Sequence, residues 1–453
     1  MSSSPAAATN PVNSADRPRE QALTILREAE RGSHADRLLD QARANFDGRD
    51  SAFILELTYG VLRNRSRIDW LLDRFSKQPV SSTDDWTRNI LRIGAYQLLF
   101  LDRVPASAAV NTSTELAKHY GKKHGYVNGL LRALERKKND LPLPNDADAA
   151  KRVSLLHSYP EWIVRRWIAR IGVDRTEEVL RQNNDDAPLI IRANSLKGTA
   201  DDLIALLTSQ GATARKSSFS PAGVEVISSP GITSLESFRE GWFMMQDEAA
   251  QLVTVLLDPK PGESVLDACA APGGKATYLA ELMGNTGEIV ALESDKKRIG
   301  RIRENSNRLG ITIVRPKTGD AAKYSEGPFD RILIDAPCSG LGVLRRHPDG
   351  RWTKTEQSMR DRPALQKKIL ANCAKLLKPG GVLVYATCTT EPEENEDVVN
   401  AFVAASGGEF RLDDPRHYLP GPAAALVGPD GFFRTFPDAP SMDGFFAARM
   451  VRG

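Results

Sequence analysis

A chain of 453 residues, set against a common domain size of about 150, has room for roughly two to four separate cores. With 41% hydrophobic and 26% charged residues it has the composition of a soluble globular protein, which excludes disordered, collagen-like and fibrous classes. No window approaches the run of about 18 apolar residues that a membrane helix needs, Met1-Ser-Ser-Ser-Pro5 lacks the basic and apolar regions of a secretory signal, and four cysteines are too few for a disulfide scaffold. A cytoplasmic protein with no membrane partner is therefore expected. A formal net charge of +3 is weak for a nucleic-acid protein, so any such partner must be met through local patches.

Residues 1–14, rich in Ser, Ala, Pro and Asn, are expected to form a disordered tail. From Pro18 to Leu134 apolar residues recur at helical spacing: Ala22, Leu23, Leu26 and Ala29, then Phe53, Leu57, Val61 and Leu62, then Ile90, Ile93, Leu98 and Leu101. This predicts an all-α domain over 15–145, with turns at Gly32-Ser33, Gln78-Pro79 and Val104-Pro105, and linker composition over 139–150. Over 151–245 the pattern is mixed: a helix at 159–182, a strand at Leu189–Ala193, an amphipathic helix at Ala200–Gln210 and a strand at 224–227 predict a small α+β connector. Over 246–453 strands and helices alternate, as in a parallel sheet covered on both faces. Strands are expected at Ser264–Ala268, Glu288–Glu293, Phe329–Asp335 and Val382–Thr387, with helices at 276–283, 295–309 and 363–377, the last stopped by Pro379-Gly380-Gly381.

The first of these strands runs into Cys269-Ala270-Ala271-Pro272-Gly273-Gly274-Lys275. This is a glycine turn between a strand's carboxyl end and a helix amino terminus, the place where open α/β sheets bind ligands. It is not a phosphate loop, because Cys269 stands where that loop needs glycine and Ala276 where it needs Ser or Thr; nor is it the GxGxxG of dinucleotide sites. Glu293, 19 residues after Gly274, ends the next strand about where a carboxylate grips ribose hydroxyls. A nucleoside without a pyrophosphate suits this best, and S-adenosylmethionine is the common one; the competing reading is a bare glycine turn and an unrelated glutamate. Asp320 and Asp335 end two further strands, so that Glu293, Asp320 and Asp335 would line one sheet edge, although a single strand-end Asp is usually a turn former.

Cys338 and Cys388 each follow an apolar strand by a few residues and should project from that same edge, whereas Cys373 sits amid the apolar residues of a helix. Buried structural cysteine is the plainer alternative for all three. Two thiols would nevertheless have a use. Carbon 5 of cytosine is a poor nucleophile, and addition of a thiolate at carbon 6 turns the ring into an enamine whose carbon 5 can attack a methyl sulfonium. A second group must then assist release of the adduct.

Asp267-Ala-Cys-Ala-Ala-Pro-Gly-Gly-Lys275, Asp335-Ala-Pro-Cys-Ser-Gly340 and Ala386-Thr-Cys388 together resemble the Sun-type family of RNA cytosine-5 methyltransferases, with agreement over residues 240–450. The resemblance implies a Rossmann-like α/β methyltransferase in which Cys388 is the attacking nucleophile and Cys338 helps resolve the covalent adduct. It implies that Cys269, Ala270, Ala271, Pro272, Gly273, Gly274, Lys275, Glu293, Asp320 and Asp335 form the S-adenosylmethionine pocket, with no metal. Glu293 departs from the family's usual Asp, Ala276 from Thr and Thr389 from Ser. Upstream, Ile90-Leu-Arg-Ile-Gly-Ala-Tyr-Gln-Leu-Leu99, Val104-Pro-Ala-Ser-Ala-Ala-Val-Asn111 and Val127-Asn-Gly-Leu-Leu-Arg132 resemble the NusB-type RNA-binding bundle. The combination is similar to the bacterial RsmB group, which implies small-subunit (16S) ribosomal RNA as partner and a monomer as the working form.

Between Lys118 and Lys138 stand seven Lys or Arg and one acid, Glu135, a stripe that could neutralise phosphates through Lys122, Lys123, Lys137 and Lys138, or simply be a solvated helix face. Arg345, Arg346 and His347, soon after Cys338, could touch RNA near the target or form a surface loop. Two rival functions are a DNA cytosine-5 methyltransferase, with Cys338 as nucleophile, and a noncatalytic RNA-binding antitermination-type factor.

Overall fold

The computed structural model describes residues 16–43, 45–437 and 442–453. The tail expected at 1–14 lies outside them. The chain divides into two compact units, one of residues up to 184 together with 347–353, the other of 185–346 and 354–453.

The first unit is all helix: Arg17–Glu30, Ala35–Arg43, Gly48–Phe75, Asp85–Phe100, Ala106–His119 and His124–Lys137, followed by Ala149–His157, Glu161–Ile171 and Val173–Gln182. Aspartates start the two principal helices. Asp47 accepts from the amide of Asp50, and Asp84 from the amides of Trp86 and Thr87, satisfying donors that a helix leaves open at its first turn. Helix Asp85–Phe100 is central: Ile90, Leu91, Ile93 and Ala95 are wholly buried. Gly94 admits its neighbours, since a Cβ there would stand 2.5 Å from Leu131 Cδ1 and 2.7 Å from Ser113 Oγ. The polar groups on this helix are paired, Arg92 with Asp69 at 2.6 Å and with Glu30, and Asn89 with Glu30 at 2.9 Å.

The stretch read as a linker at 139–150 ends in a helix begun by Asp148, which accepts from the amide of Ala150 at 2.9 Å. The connector read at 151–245 is thereby divided: its helices up to Gln182 lie in the first unit, and its strands, with helix Ala200–Ser209, in the second. The segment 347–353 is bound into the first unit by Arg351, wholly buried, which donates to Asn184 Oδ1 at 2.7 Å and to the carbonyls of Asn183 and Arg63, its guanidinium lying 3.9 Å from the Tyr159 ring centre. Trp352 Nε1 donates to the carbonyl of Leu62 at 2.7 Å.

The second unit holds two sheets. We number its strands β1 (Leu189–Ala193), β2 (Thr213–Lys216), β3 (Gly223–Ser228), β4 (Phe243–Met245), β5 (Ser264–Asp267), β6 (Glu288–Glu293), β7 (Val314–Thr318), β8 (Phe329–Asp335), β9 (Leu377–Thr387), β10 (Phe410–Leu412), β11 (Phe433–Arg434) and β12 (Phe446–Arg452). The small sheet is antiparallel in the order β2-β3-β1-β4, with helix Ala200–Ser209 packing Leu203 and Leu207 against Ile191 and Val224. The large sheet runs β10-β12-β9-β8-β5-β6-β7, with β11 beside β12. Its strands from β9 to β7 are parallel, and Val265, Leu266, Ile332, Leu333, Leu383 and Val384 are buried, as expected for strands covered on both faces.

The register brings the carboxyl ends of four strands level: Asp267 lies opposite Ala291 and Leu333, and Asp335 opposite Ala386. β9 starts at Leu377, five residues before the expected Val382. The preceding helix ends at Lys375, so Pro379-Gly380-Gly381, expected to stop it, lies inside β9 instead: Leu377 already pairs with Phe329, and the register shifts before Arg331 pairs with Val382. Antiparallel β12, which pairs with β9 from Phe446↔Thr387 to Val451↔Val382, has no counterpart in the sequence reading.

Candidate active site

The glycine turn lies between β5 and helix Gly274–Leu282. Its two glycines serve different ends. Gly273 has φ +100°, a left-handed conformation costly for any residue with a Cβ, and a Cβ there would sit 3.3 Å from Ile302 Cα. At Gly274 a Cβ would meet only Gln246, at 3.7 Å. The turn is held from outside by three side chains: Arg298 donates to the Ala271 carbonyl at 2.9 Å, Asn305 to that of Pro272 at 3.0 Å, and Arg192 of β1 to that of Gly274 at 2.7 Å. Arg192 is wholly buried, pairs with Glu281 at 2.6 Å and also donates to Gln246 and Thr277. No local pattern in the sequence marks it.

Three acids stand at the ends of adjacent strands. Glu293 is buried and accepts from the amide of Asp295 at 2.8 Å, with Arg298 at 3.4 Å. Asp335 pairs with Lys275 at 2.6 Å; burial would lower the lysine amine, but this carboxylate outweighs it and raises the amine above its ordinary value. Asp267, absent from the expected site, is wholly buried with neither carboxylate oxygen hydrogen-bonded. Burial, with Asp335 nearby, pushes its pKa up to about 7. Unsatisfied acceptors this deep are costly unless a ligand's donors meet them. Asp267, Glu293 and the turn fit a nucleoside bearing hydroxyls and an ammonium group. Asp320 is exposed and accepts from the amide of Ala322 at 2.9 Å, the geometry of a turn former.

The Sγ atoms of Cys338 and Cys388 lie 3.3 Å apart. The pair is unsymmetrical. The hydrogen bond with Cys338, together with the positive charges of Lys275 and Lys354, lowers the pKa of Cys388 against burial and Asp335. That of Cys338 goes far up, through the same bond and its burial. Of the two, Cys388 is thus the one at which the thiolate is favoured. The other two cysteines differ: burial pushes Cys373 up to about 12 and Cys269 well above the ordinary thiol value.

A buried network joins the two cysteine loops. Glu394 accepts from the amide of Ser339 at 2.8 Å and from Gln366 Nε2 at 2.9 Å, while Gln366 also donates to the carbonyl of Pro337. Ser339 Oγ meets Thr389 Oγ1 at 2.8 Å, and Asn395 Nδ2 donates to the carbonyl of Thr389 at 2.9 Å. The run Glu391-Pro-Glu-Glu-Asn395 soon after Cys388 was the available signal for Glu394 and Asn395.

The basic residues separate into two groups. Arg346 is held by Asp247 at 2.9 Å and Asp443 at 2.7 Å, and Arg345 by the carbonyls of Asp185 and Asp186, so both are parts of the scaffold. In the helical unit Lys122 lies 3.4 Å from Asp84 and Lys137 lies 3.9 Å from Asp140, whereas Lys123 and Lys138 are exposed. Among the described residues no group of three or more His, Cys, Asp or Glu could hold a metal, and no helix is long and apolar enough to cross a membrane.

Family models match in three successive stretches: NusB over 16–136, the RsmF/B-like ferredoxin-like domain over 159–233 and the 16S rRNA methyltransferase RsmB/F over 254–451. The chain is 36% identical over 407 residues to the probable ribosomal RNA small subunit methyltransferase B of Bacillus subtilis, covering 88% of this chain and 89% of that one. It belongs to the RsmB family of methyltransferases. Its likeness to the corresponding protein of Synechocystis extends over 96% of this chain and 99% of that one at 35% identity. The crystal structure of PH0851 superposes with a TM-score of 0.79 at 28% identity, covering 98% of this chain and 99% of that one. As an RsmB-family methyltransferase the protein takes S-adenosylmethionine as cofactor, and its amino-terminal helices are the NusB domain. The expected succession of a NusB-like bundle, an α+β connector and a Rossmann-like α/β methyltransferase is the one observed.

Proposed function

We propose that this protein methylates carbon 5 of a cytosine in small-subunit ribosomal RNA, with Cys388 as nucleophile, Cys338 acting in release and the residues from Cys269 to Lys275, with Asp267, Glu293 and Asp335, around the cofactor. The observation that carries this reading is the pair of thiols, 3.3 Å apart at the sheet edge that also bears the glycine turn. S-adenosylmethionine, when bound, supplies an electrophilic methyl group. The chain's own part is covalent. The Cys388 thiolate adds to carbon 6 of a cytosine splayed from its helix, making carbon 5 nucleophilic; after methylation, loss of the carbon 5 proton and expulsion of the thiolate restore the ring. Lys275 and Asp335 hold each other beside this sulfur. Relatives whose names specify ribosomal RNA of the small subunit support the substrate class.

The two thiols are separable by experiment. Cys388→Ala is expected to abolish both methylation and any covalent complex. Cys338→Ala is expected to accumulate an enzyme–RNA adduct that survives denaturing electrophoresis in the presence of S-adenosylmethionine. An adduct in the first variant and none in the second would exchange the roles and favour the DNA-type assignment. Full activity without an adduct in both would end the covalent mechanism.

A further inference from the structure

Lys354 has no part in the reading above beyond its charge, and no local pattern singles it out. Gly340, two residues after Cys338, has φ +66°, a conformation that residues with a side chain rarely adopt. Around the point where a Cβ would stand gather Lys354 Nζ at 3.3 Å, Val343 Cγ2 at 3.6 Å and Cys388 Sγ at 3.9 Å. The missing side chain therefore leaves a gap that an ammonium and the nucleophilic sulfur share.

The charges that face Cys388 come from several elements. Cys338 and Asp335 follow β8, Lys275 opens the helix after the glycine turn, and Lys354 returns after 347–353. Asp335 and Lys275 bond to each other at 2.6 Å, so their fields at the sulfur largely cancel. Asp267, close to both, carries further negative charge when ionised. Cys338 contributes a hydrogen bond but no net charge. Lys354, by contrast, forms no ion pair among the described residues and is half-exposed. Glu394 acts on Cys338, and of the two lysines that act on Cys388 only Lys354 is without an acidic partner among the described residues.

We propose that Lys354 is a positioning residue for the reaction, its unpaired ammonium facing the gap at Gly340 and stabilising the Cys388 thiolate before RNA arrives. This inference rests on Cys388 being the nucleophile. The step is an ionisation in which the thiol proton leaves to solvent and the ammonium keeps its own. A single charge several ångströms from a partly screened sulfur changes its acidity by roughly half a unit to one unit.

The test follows alkylation of Cys388 by iodoacetamide in the full-length protein across pH, read by mass spectrometry of the Cys388 peptide, with no RNA present. Lys354→Met and Lys354→Gln are expected to raise the pH midpoint by roughly half a unit to one unit, and Lys354→Arg to restore it. In the unsubstituted protein, raising the salt concentration should move the midpoint the same way, because a half-exposed charge is screened. Midpoints unchanged in both neutral variants, with no response to salt, would overturn the inference. Methylation retained by Cys388→Ala is a separate outcome that would remove the underlying functional reading, whatever the alkylation profile shows.

Discussion

Replacing Arg192 by Met tests whether the connector sheet holds the cofactor turn. The guanidinium and the Glu281 carboxylate have side-chain exposures of 0% and 0%, and their contact is 2.6 Å. Arg192 also bonds the Gly274 carbonyl at 2.7 Å and Thr277 Oγ1 at 3.2 Å, and it lies 4.6 Å from the centre of the Tyr278 ring. Methionine keeps much of the stem's volume but leaves Glu281 buried without its cation. Breaking a buried pair on one side costs about 3–5 kcal/mol, since an uncompensated charge or a forced protonation remains. For a unit of this size that is a fall in Tm of about 6–20 °C. Burial already raises the Glu281 pKa against the pull of Arg192, and loss of that cation should raise it further. Changing Glu281 to Gln in the same protein should then recover a large part of the loss, because the pair removed together leaves no orphan charge. Calorimetric melts of the parent, single and double variants measure this, and titration with S-adenosylmethionine should show weaker binding by Arg192→Met as the turn loses its anchor. A melt within about 2 °C of the parent, or a double variant no more stable than the single, would refute the energetic argument. Unchanged cofactor affinity in a folded Arg192→Met protein would refute the link to the turn.

Gly273→Ala should weaken S-adenosylmethionine binding more than Gly274→Ala, because only the former combines φ +100° with a 3.3 Å approach to Ile302; equal losses in calorimetric titration would contradict that distinction. Glu30 is held down to about 2: burial opposes this, but the hydrogen bond from Arg88 and the contacts of Arg92 and Asn89 prevail. Its folded value lies below its unfolded one, so its contribution, at most about 3 kcal/mol and reduced by solvent screening, is complete above about pH 5 and is lost as pH falls towards 2. Protection factors of amides in helix Arg17–Glu30, corrected for the intrinsic exchange rate at each pH, should fall over that window, and Glu30→Gln should flatten the dependence. If Lys123 and Lys138 meet phosphates, changing both to Gln should reduce the salt slope of RNA binding by about two, and an unaltered slope would make them a solvated helix face.

The chemistry was more legible in the sequence than the means of holding it. Cys338 and Cys388 could be placed at one edge because each follows an apolar run, and parallel strands bring such run-ends level. Their inequality could not be read, for it comes from a 3.3 Å contact between residues 50 positions apart and from lysines on other elements. Asp267 lay inside a quoted motif, yet its isolation depends on what the sheet withholds from it, a tertiary property. Arg192, buried in a strand of the small sheet, looks in one dimension like a polar interruption of an apolar run. Arg346 shows the reverse case: beside His347 it resembles a phosphate grip, and only Asp247 and Asp443, about a hundred residues away, turn it inward. Local periodicity found the helices of the NusB domain. It missed β12, whose partner β9 ends 59 residues earlier.

The assignment of residues 347–353 to the helical unit makes the chain pass between units three times, after 184, 346 and 353. A growing polypeptide that has just delivered residue 184 still lacks the arginine that satisfies Asn183, Asn184 and Arg63, and the indole that meets Leu62. The amino-terminal unit is finished only when more than 160 further residues have left the ribosome. For the same reason no single proteolytic cut yields two self-sufficient fragments. A catalytic piece beginning at 185 carries away Arg351 and Trp352 without their acceptors, and the helical remainder is left with a socket and nothing to fill it.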